Sequence, residues 1–272
     1  MAECPYQIPP GWELPLDPAG WEAPVVCVNH RFCVELQGQA GDDHEKGHCS
    51  MAIEVETKDC TMLGDAEIEE MADLCAEGPN PFGIGLISKQ VEEWVLCSTG
   101  RENGRLKGFS FCTLERIGGT PSVILGLGSI HRTSKRDTVL RALMSEQLRR
   151  AVLAFPDEDV VVGVRFNEPS GFEAYRLLSR VVPRPGYKAS GEDRAWGRRF
   201  VKRFGMSTSS YDEHTFRARG SDGQACVLDH TSLKADEIST DVKAIFTPLD
   251  LSRGDVVVAV GWAMAEDLEK LL

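Results

Sequence analysis

The chain is 272 residues long, 42% hydrophobic and 26% charged, a globular composition with room for one large domain or one domain with extensions. Its formal net charge of −12 argues against nucleic-acid binding, because a polyanion repels an acidic surface. No apolar run approaches the ~20 residues of a membrane-spanning helix, and the N-terminal MAECPYQIPPGWELPLDPAGW lacks the basic and apolar regions of a secretory signal. Cysteines stand at positions 4, 27, 33, 49, 60, 75, 97, 112 and 226, an odd set lying mostly inside apolar runs. That pattern suits a reduced, cytoplasmic protein with buried thiols better than a disulfide framework.

Residues 1–24 hold prolines at 5, 9, 10, 15, 18 and 24 and read as an extended arm, with Trp12 and Trp21 as docking points. A strand is expected over 25–36, a polar loop over 37–50 and an alternating strand over 51–57. Residues 65–77 predict a helix with Ile68, Met71, Ala72 and Cys75 on one face, ended by Gly78-Pro79-Asn80-Pro81. Strands follow over 93–98, 106–116 and 122–130, with turns at Asn103-Gly104 and Gly118-Gly119. Residues 137–154 form an amphipathic helix carrying Leu140, Leu143, Met144, Leu148, Ala151 and Val152 on one side. A buried strand at 160–166 leads to helices at 171–179 and 192–204. Residues 215–219 and 224–229 flank Ser221-Asp222-Gly223, a hairpin signal. A late strand at 255–262, free to close a sheet edge or pair across a homodimer, precedes a terminal helix.

The expected class is α+β: a mixed, mostly antiparallel sheet with one parallel strand–helix–strand crossover and helices on both faces. Three segments are expected: a Pro-rich arm and loop (1–50), a central domain (51–229) and a C-terminal strand–helix extension (230–272).

Two strand ends carry the chemistry. The turn Ile130-His131-Arg132-Thr133-Ser134-Lys135-Arg136-Asp137-Thr138 crowds basic side chains at a helix N-terminus. The helix dipole favours anions there, by ~0.3–1 kcal/mol per charge, so the placement suits a bound anion ringed by cations; the plain alternative is a solvated basic turn. Ser134 or Asp137 is expected to cap that helix. The second joint, Asn167-Glu168-Pro169-Ser170-Gly171, follows the buried strand, with Tyr175 one turn into the next helix. Taken alone, Asn167 reads as a turn residue and Tyr175 as a core edge. Both joints lie at carboxyl ends of adjacent parallel strands, where open sheets bind ligands.

The order of strand, basic turn, long helix, buried strand, Asn and helical Tyr resembles the GCN5-related N-acetyltransferase (GNAT) superfamily over residues 51–229, and most specifically over 122–175. That resemblance implies an acyltransferase moving an acyl group from acetyl-CoA or another acyl-CoA, or from an acidic acyl carrier protein, to a small-molecule or peptide amine by direct attack. It places Ile130, Arg132, Lys135, Arg136 and Thr138 at the cofactor phosphates and Asn167 on the cofactor arm. It makes Tyr175 the acid that protonates the leaving thiolate, with a backbone N–H of residues 122–130 as oxyanion donor; Gly126 and Gly128 hint at a bulge there. Glu115 and His131 are the candidate bases. Where the family turn carries small residues, this chain has Thr138 and Leu140. A catalytically degenerate, GNAT-like binding or regulatory protein is therefore the alternative.

Two further clusters remain. Arg194, Arg198, Arg199, Lys202 and Arg203 alternate with Trp196, Phe200 and Phe204, giving a solvated basic face over an aromatic core side, or a dock for an anionic partner. Cys27, His30, Cys33, His44, His48 and Cys49 are zinc-type ligands, but no Cys-x-x-Cys knuckle is present, so no metal is expected.

Overall fold

Long β-branched and aromatic runs build one sheet through the molecule. The computed structural model describes residues 53–78, 81–175, 178–221 and 223–271; the arm, the strand expected at 25–36 and the Cys/His cluster lie outside the described residues. Strands β1 (Glu54–Asp59), β2 (Leu96–Glu102), β3 (Arg105–Ile117) and β4 (Thr120–Ile130) run antiparallel in sequence order. The tight turns Asn103-Gly104 and Gly118-Gly119 permit this, with positive φ at all four residues.

The crossover expected from the sequence is present. Helix α3 (Arg136–Ala154) joins β4 to β5 (Val160–Phe166), and the two strands pair in parallel. Helices α1 (Asp65–Ala76), α2 (Ile84–Glu93) and α5 (Gly191–Arg203) cover one sheet face. Helix α3, the short α4 (Pro169–Ala174) and α6 (Thr240–Phe246) cover the other. Along β4, Val123 and Leu125 enter the α3-side core while Ile124 and Leu127 enter the opposite one. A regular strand would put Leu125 and Leu127 on the same face. The register explains the exception: Ser110 opposes Gly128 and Cys112 opposes Leu125, so three steps of β4 match two of β3. This is a β-bulge at Gly126-Leu127, which bends the strand and resets its facing. A Cβ on Gly126 would lie 2.5 Å from the Trp94 ring, so only glycine lets this ring pack onto the bulge.

Several boundaries differ from expectation. Helix α2 and strand β6 (Ser179–Val182) were not predicted. The helix expected at 171–179 is shorter and earlier, started by Pro169 and capped by the Glu168 carboxylate on the Gly171 N–H. The hairpin expected around Ser221 does not form. Strand β8 (Arg217–Ala218) instead pairs with β7 (Tyr211–Asp212) and β10 (Val256–Ala263), and β9 (Leu228–Asp229) pairs with β4. Within 230–272, strand β10 lies between β5 and β8, with seven residue pairs to β5, and is an interior strand not available for pairing across a dimer. The short helix α7 (Ala265–Leu268) follows it.

Candidate functional site

The parallel pairing of β4 with β5 is brief. It covers Ser122–Val161, Val123–Val162 and Ile124–Gly163, and ends just before the bulge. Beyond it the strands diverge into a fork. The apex lies near Leu125, the β4 arm ends at Ile130 and the basic turn, and the β5 arm ends at Phe166 and Asn167. Such a fork leaves one side of the β4 backbone unpaired by β5, an edge that an extended ligand can join by main-chain hydrogen bonds.

In this chain the edge is taken by β9. Gly128 pairs with Leu228 and Ser129 with Asp229, in parallel, and the Gly128 N–H donates to the Val227 carbonyl at 3.2 Å. Val227 faces the α1/α2/α5 core and Leu228 the α3 core, so the inserted segment completes both. Burying these two side chains is worth ~1.5–3 kcal/mol each. At the apex, Tyr175 packs with Val123, Leu125, Met144 and Val162 around a residual space of about 10 Å³, enough for no more than one water. Larger clefts, about 310 and 410 Å³, lie beside Arg180 and Arg184 at β6, beyond β10.

The basic turn is engaged from within. Arg132 donates to the Ile130 carbonyl at 2.6 Å, to the Asp229 carbonyl at 3.3 Å and to the Asp229 carboxylate at 2.6 Å. Arg136 donates to the Thr231 carbonyl at 2.5 Å and the Ser232 carbonyl at 3.3 Å. Lys135 reaches the Glu102 carboxylate at 2.7 Å, and the His131 Nε2 lies 2.5 Å from Glu77. The helix N-cap is Lys135, with no side-chain cap, and not Ser134 or Asp137. Asp137 turns instead to the segment after β9: it accepts from the Leu233 N–H at 3.2 Å and the Ser232 hydroxyl at 3.3 Å, and meets the His230 Nε2 at 3.0 Å. Burial holds the His230 imidazole below its ordinary range, so it stays neutral. Thr138 sits half-buried on the first turn of α3.

The structure brings His131, Arg132, Lys135, Arg136 and Thr138 together at the mouth of the fork, with Asn167 ending its β5 arm. The Asn167 Oδ1 is buried and has no hydrogen-bond partner among the described residues. Tyr175 lies deeper, at the C-cap of α4, 4% exposed and 5.3 Å from the Phe166 ring centroid. Burial raises its phenol pKa well above the ordinary value, so the group keeps its proton. Glu115 is not part of this assembly. It pairs in register with Ser122, eight residues before Ile130, which is roughly 26 Å along a strand, and its carboxylate accepts from Arg203 at 2.7 Å. The basic face of α5 is likewise engaged: Arg194 and Arg198 meet Glu213, and Arg199 stacks on Trp196 at 4.5 Å.

The described cysteines are free thiols. Burial pushes Cys112 up to about 12, which leaves it a core residue with no thiolate character. Among the described residues no group of three or more His, Cys, Asp or Glu is poised for a metal, and no helix is long and apolar enough to cross a membrane. Sequence reasoning missed the residues that fill the fork, Val227 to Leu233. Their one local signal, an apolar pair followed by Asp229-His230, does not say which strand they join.

No family model and no curated protein matches the sequence. Among solved structures, the ribosomal-protein-S18-alanine N-acetyltransferase from Escherichia coli is 12% identical, with a TM-score of 0.35 over 51% of this chain and 86% of that one. An acetyltransferase of the GNAT family from Streptococcus pneumoniae is 9% identical, with a TM-score of 0.33 over 49% and 91%. A GNAT family acetyltransferase from Brucella melitensis, in complex with acetyl-CoA, is 16% identical, with a TM-score of 0.29 over 40% and 74%.

Proposed function

We propose that the protein is an N-acyltransferase that takes its acyl group from an acyl-CoA or acyl-carrier thioester and passes it to an amine. The observation that carries this reading is the bulged, forked pair β4–β5 with a cationic turn at its mouth. It combines a backbone edge for an extended arm with cations for phosphates. Acyl transfer to an amine also calls for a donor to the developing oxyanion and an acid for the leaving group. The bulge at Gly126-Leu127 is the place assigned to the first. Tyr175, kept protonated at the apex, is the group assigned to the second. The Asn167 Oδ1, without a partner among the described residues, is assigned to the arm. As arranged here, however, the fork does not fit a pantetheine-type arm, because 227–233 occupy it and Arg132 and Arg136 bond that segment.

The same occupancy favours a second reading, a GNAT-like protein that has lost transfer and acts by binding. Calorimetry with acetyl-CoA, a long-chain acyl-CoA and free CoA separates the two. Micromolar binding that weakens at least tenfold in Lys135→Ala/Arg136→Ala supports the transferase, and preference for the long chain points to a carrier-type donor. Absence of binding to all three, at concentrations up to millimolar, favours the binding protein.

A further inference from the structure

We infer that residues 227–233 are a built-in competitor for the donor site: a strap of this chain that must leave the β4 edge before an acyl-thioester arm can occupy it. The inference rests on the acyltransferase reading above and concerns how that site is controlled.

Four features set the strap apart from a loop that happens to lie nearby. First, it uses the β4 main chain. The Gly128 N–H is committed to Val227, and the pairing at Leu228 and Asp229 is parallel, the direction an arm running from apex to mouth would follow or oppose. Second, it fills the fork on both faces: Val227 and Leu228 are buried in opposite cores. Third, it satisfies the basic turn as a ligand would. Arg132 takes a carboxylate, Asp229, and Arg136 takes two carbonyls, Thr231 and Ser232. A phosphate ester would offer those guanidinium groups the same acceptors with more charge. Fourth, the strap is also secured at its far end by Asp137, which holds His230, Ser232 and Leu233.

These contacts make the strap and the donor mutually exclusive while leaving the rest of the sheet indifferent to the exchange. Strand β3 pairs with β4, and β5 pairs with the first half of β4 and with β10, all without any help from β9. Opening is therefore a local event in a cooperative unit that borders the site. The apparent donor affinity of the intact chain is reduced by the fraction of molecules in which the strap is out.

The test uses the full chain, acetyl-CoA as probe, and hydrogen exchange read by mass spectrometry alongside calorimetry. Leu228→Ala weakens the strap without touching a group assigned to the cofactor; Ser232→Ala, which removes one bond to Asp137, is the milder variant should Leu228→Ala fail to fold. The expected result has two parts. The variant binds acetyl-CoA at least tenfold more tightly than the wild type. Saturating acetyl-CoA speeds exchange in peptides covering 225–234 while those of β3 and β5 keep their protection. If acetyl-CoA binds and 225–234 remain as protected as in the free protein, the strap is not a competitor: this inference falls and the acyltransferase reading stands. If the variant exchanges rapidly across 225–234 yet neither chain binds acetyl-CoA, an open fork has no affinity for the donor, and the acyltransferase reading falls together with the strap's role.

Discussion

Tyr175 and His230 show how burial decides what a single side chain can do. The Tyr175 ring is packed against Phe166 and the β4–β5 apex, and its phenol is held protonated. Tyr175→Phe keeps the ring and removes the proton. Under the transferase reading, kcat is expected to fall by ~10²–10⁴, the usual contribution of a positioned acid, with KM for the donor unchanged; equal turnover would remove Tyr175 from the chemistry. His230 gives a pH prediction. Asp137, Arg132 and Arg136 surround it, and burial lowers its folded pKa below 6.5. The unfolded chain takes up this proton first, so the neutral imidazole's contribution is complete above pH 6.5 and is lost as the pH falls toward the lowered folded value. Thermal melts from pH 8 to 5 are expected to show a decline that is shallower in His230→Gln. Identical slopes would mean the group titrates alike in both states.

At the scale of elements, β4 holds the decisive irregularity. A Gly126→Ala side chain would meet the Trp94 ring at 2.5 Å, and overpacking of this kind costs ~1–3 kcal/mol. A lower Tm is expected, and a wild-type Tm would show that the ring moves aside freely. Much of this architecture was legible in the chain. The periodicity of 137–154, the valine run at 160–166 and the glycines at 126 and 128 announce the crossover, its partner strand and the bulge, because each is a local pattern. Strands β6 and β9 have no such pattern. Two to four residues cannot show a period, and their positions follow from long-range pairing with Val260 and Gly128. For the same reason the candidate site was half legible. The sequence places cations in the turn, but not the acids and carbonyls that reach them from Glu77, Glu102 and residues 229–232. It also sets Glu115 in a strand without telling which end of the sheet it occupies.

Across the whole molecule, the C-terminal part of the chain completes the sheet. Residues 227–233 close the fork, and β10 then returns to lie between β5 and β8, so the central sheet is complete only when the last strand is in place. Val256, Val257, Val258 and Val260 are buried, Val257 in the α3-side core and the other three in the opposite one. At ~1.5–3 kcal/mol per side chain they represent roughly 6–12 kcal/mol as an upper bound, comparable with the ~5–15 kcal/mol stability of an ordinary domain. Removing β10 would also leave the β5 edge of seven residue pairs open and hydrophobic, a template for aggregation. A chain ending at residue 254 is therefore expected not to fold, whereas one ending at residue 264, which keeps β10 and loses only the short terminal helices, is expected to retain a cooperative melt with reduced Tm. Far-UV circular dichroism and size-exclusion of the two chains check this. A folded, monomeric chain lacking β10 would show that the first half of the sheet is stable alone, and that the 230–272 segment is an addition to the domain and not part of its core.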